Sequence, residues 1–217
     1  MVEKKRSRTL LKVALGFAAI AVLGYLFIHS LQTARSEPYT VERAHLGKWT
    51  LELEAAGAPN APLLSLRTDH ELVTGLFRQL FNRAMESMNT PATASIPIVL
   101  RGEFDRALTG RMTPAALLAA ARDAGLETAA HEPRCLAHRR ISEPGMTRQA
   151  YFAIVESSAI VRFREQLART AESSFDAAAL TPIVFVGASD GAFLHWLPMR
   201  AEEADCVAPI QIGPPQG

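Results

Sequence analysis

Residues 13–28, VALGFAAIAVLGYLFI, carry no charged side chain and no polar face. A soluble helix buries one apolar stripe and leaves its opposite side wet, so an all-round apolar run excludes an ordinary core helix. With Leu10 and Leu11 in front and Lys12 able to snorkel, the run approaches the roughly 20 residues that cross a bilayer. Cleavage as a signal peptide wants small residues before the cut, whereas Leu31 and Gln32 precede Ala34 in this chain. The expectation is therefore a retained single-pass anchor over residues 13–31. Lys4, Lys5, Arg6, Arg8 and Lys12 stand before the run, opposed only by Glu3. By the positive-inside rule residues 1–12 form a cytoplasmic basic tail, and everything after the anchor faces outward. The Ala/Arg-rich remainder, in which Lys48 is the only lysine after the anchor, points to a bacterial inner membrane with the C-terminal domain in the periplasm.

Removing the basic tail leaves a slight excess of acid in a chain of formal net charge +1. No concentrated basic face remains, and nucleic acid is excluded as a partner. Apolar residues at 48% and charged residues at 21% can build a core and argue against disorder. The expected order is a linker over 32–45, an α/β domain over 46–212 and a disordered tail over 213–217. Cys135 and Cys206 both fall in the exported part, where a distant even pair reads as one disulfide. The competing metal set of Cys135, His138, Asp205 and Cys206 lacks a zinc-type spacing, and neither a metal nor another cofactor is expected.

Along the domain, Trp49, Leu51 and Leu53 alternate with Thr50, Glu52 and Glu54 as in a half-buried strand. Asp69 is placed to cap a helix whose stripe is Leu72, Val73, Leu76, Leu80, Phe81 and Ala84. TPAALLAAARDAGLE has Thr113 at N-cap, Pro114 at N1 and Gly125 at C′, a helix with both ends marked. RCLAHRRI and RQAYFAIV flank SEPGMT as a hairpin, SSAIVRFREQLARTAESS is helical, and CVAPIQI is expected as a final edge strand. SIPIVLRGEFDRAL and LTPIVFVGASDGAF share Pro97/Pro182, Ile98/Ile183, Val99/Val184, Gly102/Gly187 and Asp105/Asp190 in one register. The preceding helices also match, with Phe77/Phe163, Arg78/Arg164 and Arg83/Arg169. Two strand–helix–strand halves, 62–108 and 147–195, suggest an α/β (α+β) fold: a ferredoxin-like duplicated βαβ domain with an inserted helix and hairpin. In it the prolines begin strands, the glycines bend them or take positive φ, and each aspartate caps the element after it.

Asp190 and His195 form the sharpest catalytic pair, with Ser189 as a possible nucleophile. Adjacent Ser189 and Asp190 point apart rather than converge on one imidazole, and a Gly-x-Ser-x-Gly elbow is missing. The layout is similar to that of two-histidine phosphoesterases, but their His-x-Thr/Ser motifs are absent from PIVLRG and PIVFVG. His138, Arg139, Arg140 and Arg148 on the hairpin arms are candidates for an anion site, since arginine grips carboxylate or phosphate bidentately. Trp196 is the remaining binding candidate, and Arg101, Glu103, Asp105 and Arg106 read as local salt bridges. The expected function is a membrane-anchored periplasmic interaction or scaffold domain, an accessory subunit with a protein partner in the envelope. The alternative is a membrane-tethered hydrolase or anion-binding domain using Asp190/His195 or the arginine cluster.

Overall fold

The computed structural model describes residues 3–84, 87–172, 174–191 and 200–213, in two compact units, Met1–Glu37 and Pro38–Gly217. The first unit is helix α1, Glu3–Ser36. Among the described residues, no helix is long and apolar enough to cross a membrane. The expected span of 13–31 includes residues 13, 14 and 31, whose side chains lie outside the described ones. The contiguous run 15–30 is shorter than the roughly 20 residues a bilayer needs.

The second unit is a mixed α+β domain with a curled five-strand sheet. Its strands are β1 (Tyr39–Glu42), β2 (Thr50–Leu53), β3 (Pro62–Thr68), β4 (Ala94–Leu100), β5 (Glu132–Glu143), β6 (Met146–Glu156), β7 (Ile183–Ala188) and β8 (Cys206–Gly213). The helices are α2 (Glu71–Ala84), α3 (Arg101–Ala107), α4 (Pro114–Asp123) and α5 (Ser158–Thr170). One sheet has the order β1-β8-β5-β6-β7 and the other β2-β3-β4. Helix α2 lies against β1, β4 and β7, burying Leu72, Val73, Leu76, Leu80 and Ala84 in the main core. Phe81, expected on that stripe, is 48% exposed.

The expected linker is largely structured, its end taken by the 3-10 turn Arg43–Leu46. Helix α1 continues to Ser36, and β1 buries Tyr39 and Val41 on alternate positions, a period-2 pair too short to stand out in a polar stretch. Strand β8 is not an edge: it lies between β1, which it meets in parallel, and β5, which it meets antiparallel.

Strand direction departs from the ferredoxin-like expectation. A βαβ unit makes its two strands parallel, but β3 and β4 pair antiparallel, as do β6 and β7. The physical reason lies in the return segments. After α2 the chain runs beside β7, where Asn89 and Ala188 exchange both backbone hydrogen bonds at 2.8 Å and Thr90 Oγ1 donates to the Val186 carbonyl. Only then does it enter β4. Both halves nonetheless keep the order strand, helix, antiparallel strand.

The shared residues do different work from that expected. Pro97 sits inside β4, opposite Ser65, while Pro182 precedes β7. Gly102 lies in α3 and Gly187 within β7; positive φ is found instead at Gly110, Gly125 and Gly145. Both repeat glycines serve close approach. A Cβ at Gly102 would stand 3.1 Å from the Pro59 carbonyl oxygen, and one at Gly187 would stand 3.3 Å from the Phe77 ring. Asp105 is inside α3 and caps no element among the described residues; Glu103 instead accepts the Leu100 N–H at 2.8 Å.

Locally encoded caps form as expected. Asp69 Oδ1 accepts the Glu71 N–H at 3.0 Å, Thr113 Oγ1 accepts that of Ala116 at 3.1 Å, and Gly125 follows the C-cap of α4 at φ 70°. Exposed strand edges are closed by side chains, which blocks edge-to-edge pairing. The Gln79 amide takes both the N–H and the carbonyl of Thr40 in β1, and Glu127 Oε1 accepts the Leu51 N–H of β2.

His131, 2% exposed, is held between Leu126, Ser157 and Trp49. Its Nε2 donates to the Leu126 carbonyl at 2.7 Å, so its Nδ1 accepts from Ser157 Oγ at 2.8 Å, and its ring meets Trp49 edge-on at 5.0 Å. Burial holds its imidazole below the usual histidine range. The unfolded chain therefore takes up this proton first as pH falls below about 6.5. Stability from this group is complete above that pH and is lost toward the lower folded value. Urea midpoints should fall between pH 7.5 and 5.5, with a shallower fall in His131→Gln; equal slopes in the two proteins would refute the assignment.

Candidate functional site

The predicted hairpin is present, longer than its flanking apolar runs suggest, and turns at Pro144 and Gly145. From Cys135 to Met146 its register is unbroken, so directly opposed residues share a face and neighbours along a strand alternate. His138 and Arg140 fall on one face with Tyr151 and Gln149. Arg139 and Arg148 fall on the other, with Ala150 and Ile141. Strand parity thus separates the four basic candidates, and they do not form one anion site.

Each has a local engagement. His138 stacks on Tyr151 at 4.3 Å, and Gln149 Oε1 lies 3.3 Å from both His138 Nε2 and Arg140 Nη2. Arg139 grips the Asp205 carboxylate through Nε and Nη2, and its Nη1 donates to the Arg200 carbonyl at 3.0 Å. Arg148 Nε lies 3.7 Å from Asp190 Oδ2.

Ser189 extends the sheet pairing. Its N–H donates to the Gln149 carbonyl at 2.9 Å, and its Oγ accepts the Gln149 N–H at 3.0 Å. The Ser189 hydroxyl oxygen is thereby engaged with the backbone of β6. Asp190 lies beside Arg148. His195 and Trp196 lie outside the described residues.

Cys135 and Cys206 are disulfide-bonded, with Cα atoms 5.8 Å apart. With both sulfurs in that bond, the alternative zinc set with His138 and Asp205 loses its thiolates.

Sequence reasoning missed the most buried charge among the described residues of the domain. Arg164 on α5 is 1% exposed. Its Nη2 meets Glu103 Oε1 at 2.7 Å and its Nη1 meets Glu103 Oε2 at 3.2 Å. The remaining N–H groups donate to the carbonyls of Ile98 (2.7 Å), Ala177 (2.9 Å) and Asp176 (2.8 Å). The guanidinium also lies 4.8 Å over the Phe175 ring. A signal existed: Ile160, Arg164 and Leu167 recur at i, i+4 and i+7, which puts Arg164 on the apolar stripe. Arg101, expected in a local salt bridge, instead donates Nη2 to the Glu54 carbonyl at 2.6 Å. The Arg164 contacts tie α5 to the end of β4 and to α3. Compared with known proteins, the chain matches no family model, no curated protein and no solved structure.

Proposed function

We propose that this chain is a membrane-anchored interaction domain, an accessory subunit of a bacterial envelope complex. Residues 13–31 tether it to the inner membrane, and its disulfide-bonded α+β domain stands on the periplasmic side. The observation that carries this reading is α1. Leu15, Phe17, Ile20, Val22, Leu23, Tyr25, Leu26, Phe27 and Ile28 are each more than half exposed. They leave no polar side to face water, a surface suited to lipid contact. The disulfide adds support, because such bonds persist in oxidising compartments.

The test uses the full chain expressed in a bacterial host. It should stay in the membrane fraction through an alkaline carbonate wash, and protease added to spheroplasts should remove the domain beyond residue 37. Deleting residues 13–28 should release the domain. Extraction in mild detergent followed by native mass analysis should then show a stoichiometric protein partner. Release by carbonate would overturn the anchor, and a monodisperse lone chain would overturn the accessory-subunit role.

A further inference from the structure

The hairpin of β5 and β6 outruns the sheet it belongs to. Strand β8 pairs with β5 at Cys135, Leu136 and Ala137, whereas β5 stays paired with β6 as far as Glu143 and Met146. On the other side, β7 pairs with β6 no nearer the turn than Ala150, and Ser189 adds its contacts to Gln149. Residues 138–149 therefore extend the hairpin past its neighbours as a two-stranded ribbon.

Ser189 fixes the backbone direction along this ribbon. The N–H and the carbonyl of Gln149 both bond to Ser189, so both turn away from β5. In an antiparallel ladder, opposed residues either exchange both bonds with each other or turn all these groups outward. Arg140 lies opposite Gln149, so its own N–H and carbonyl point away from β6; by the period of two, those of Ser142 do the same. Among the described residues, no strand covers that side of β5 beyond Ala137, and Arg140 and Ser142 are exposed. Other margins of the fold are closed. Gln79 takes both groups of Thr40 in β1, Glu127 takes the Leu51 N–H of β2, and Asn89 takes both groups of Ala188 in β7. An edge left with outward groups in register is a template for another strand.

Charge selects what pairs there. Arg139 and Arg148, on one face of the ribbon, already have carboxylates in Asp205 and Asp190. On the other face, Arg140 Nη2 meets the neutral Gln149 Oε1 at 3.3 Å. Directly opposed side chains on paired strands attract when their charges differ and repel when they match. A second copy meeting this edge across a two-fold axis at Arg140 would set two arginines against each other, whereas a carboxylate at that position would be drawn in.

We propose that the β5 edge at Arg140 and Ser142 accepts an extended acidic segment of a protein partner as an added strand, with a carboxylate beside the Arg140 guanidinium. Main-chain hydrogen bonds to Arg140 and Ser142 supply the attachment, and Arg140 supplies the choice of sign, as in strand addition generally. The proposal rests on the accessory-subunit reading, for which it names the contact surface.

The test uses the full chain in non-ionic detergent, with a short peptide alternating valine and glutamate as the probe and the valine–lysine peptide of equal length as the control. Hydrogen exchange should find the Arg140 and Ser142 amides unprotected in the free chain and protected by the glutamate peptide. That peptide should bind saturably with a dissociation constant of about 0.1–1 mM, suited to a few main-chain bonds, and the lysine peptide should not. Arg140→Glu should reverse the preference, losing the glutamate peptide by about tenfold or more and gaining the lysine peptide. Ser142→Pro removes one outward N–H, a change tolerated at a strand edge, and should weaken binding about tenfold with the urea midpoint unchanged. Protection of both amides in the free chain, absence of saturable binding, or equal binding of the two peptides would overturn the proposal. So would a dimer of the chain that Ser142→Pro dissolves, which would assign the edge to a second copy. Retention of a co-purifying partner by both folded variants would overturn this surface and leave the accessory-subunit role standing. A chain that binds the glutamate peptide yet extracts with no partner would overturn that role and uphold the edge.

Discussion

Glu103→Ala is expected to destabilise the domain by about 3–5 kcal/mol, the cost of leaving one member of a buried ion pair without its partner. Arg164 has no route to water in the folded state, being 1% exposed, and Glu103 is its only carboxylate contact among the described residues. The three carbonyls from Ile98, Asp176 and Ala177 would still accept from the guanidinium, but dipoles alone compensate poorly for a buried charge. Removing the charge as well should behave differently. Arg164→Met with Glu103→Leu replaces the pair by apolar volume, and such exchanges are often neutral when the packing holds. Here Arg164 also fastens the segment carrying Asp176 and Ala177, so the double variant should recover part of the loss and not all of it. Urea unfolding of the four proteins in the cycle measures the coupling. Additive effects of the two single substitutions would refute the pair's role as a unit.

The same pair shows where sequence reading of this chain stops. Arg78 and Arg164 occupy matching positions in the two halves. Yet Arg78 is exposed beside Glu71 while Arg164 is buried against Glu103. The decisive partner is 61 residues away in sequence, and periodicity carries no trace of it. What was legible was local. Asp69, Thr113 and Gly125 mark helix ends because a cap is made by a few adjacent residues. The hairpin was legible from its turn, but the separation of Arg139 and Arg148 from His138 and Arg140 required a register, and register is set by the pairing itself. Strand direction was not legible either, because it depends on how residues 87–93 return along β7.

Reduction of Cys135–Cys206 is expected to cost the domain about 4 kcal/mol in the chain-entropy description of a cross-link closing a loop of this length, the cysteines being 71 positions apart in sequence. The topology makes the loss local as well as global. Cys135 belongs to β5 in the middle of the five-strand sheet, whereas Cys206 opens β8. Backbone pairing between these strands is short, covering Cys135, Leu136 and Ala137 of β5. Strand β8 in turn holds the edge strand β1 through parallel pairing at Tyr39, Thr40, Val41 and Glu42. Without the covalent link, the β1–β8 pair should open at lower free energy than the rest of the sheet, since few hydrogen bonds tie it to β5. Two readouts separate the effects. The urea midpoint should fall in Cys135→Ala/Cys206→Ala, and the slope m should rise because the unfolded chain is no longer held compact. Hydrogen exchange should show the largest loss of protection in β8 and β1, and much less in β6 and β7. An unchanged midpoint, or alkylation of both thiols in the native protein without reductant, would contradict the cross-link. Protection lost uniformly across the sheet would leave the cross-link in place but refute its role as the fastening of β8.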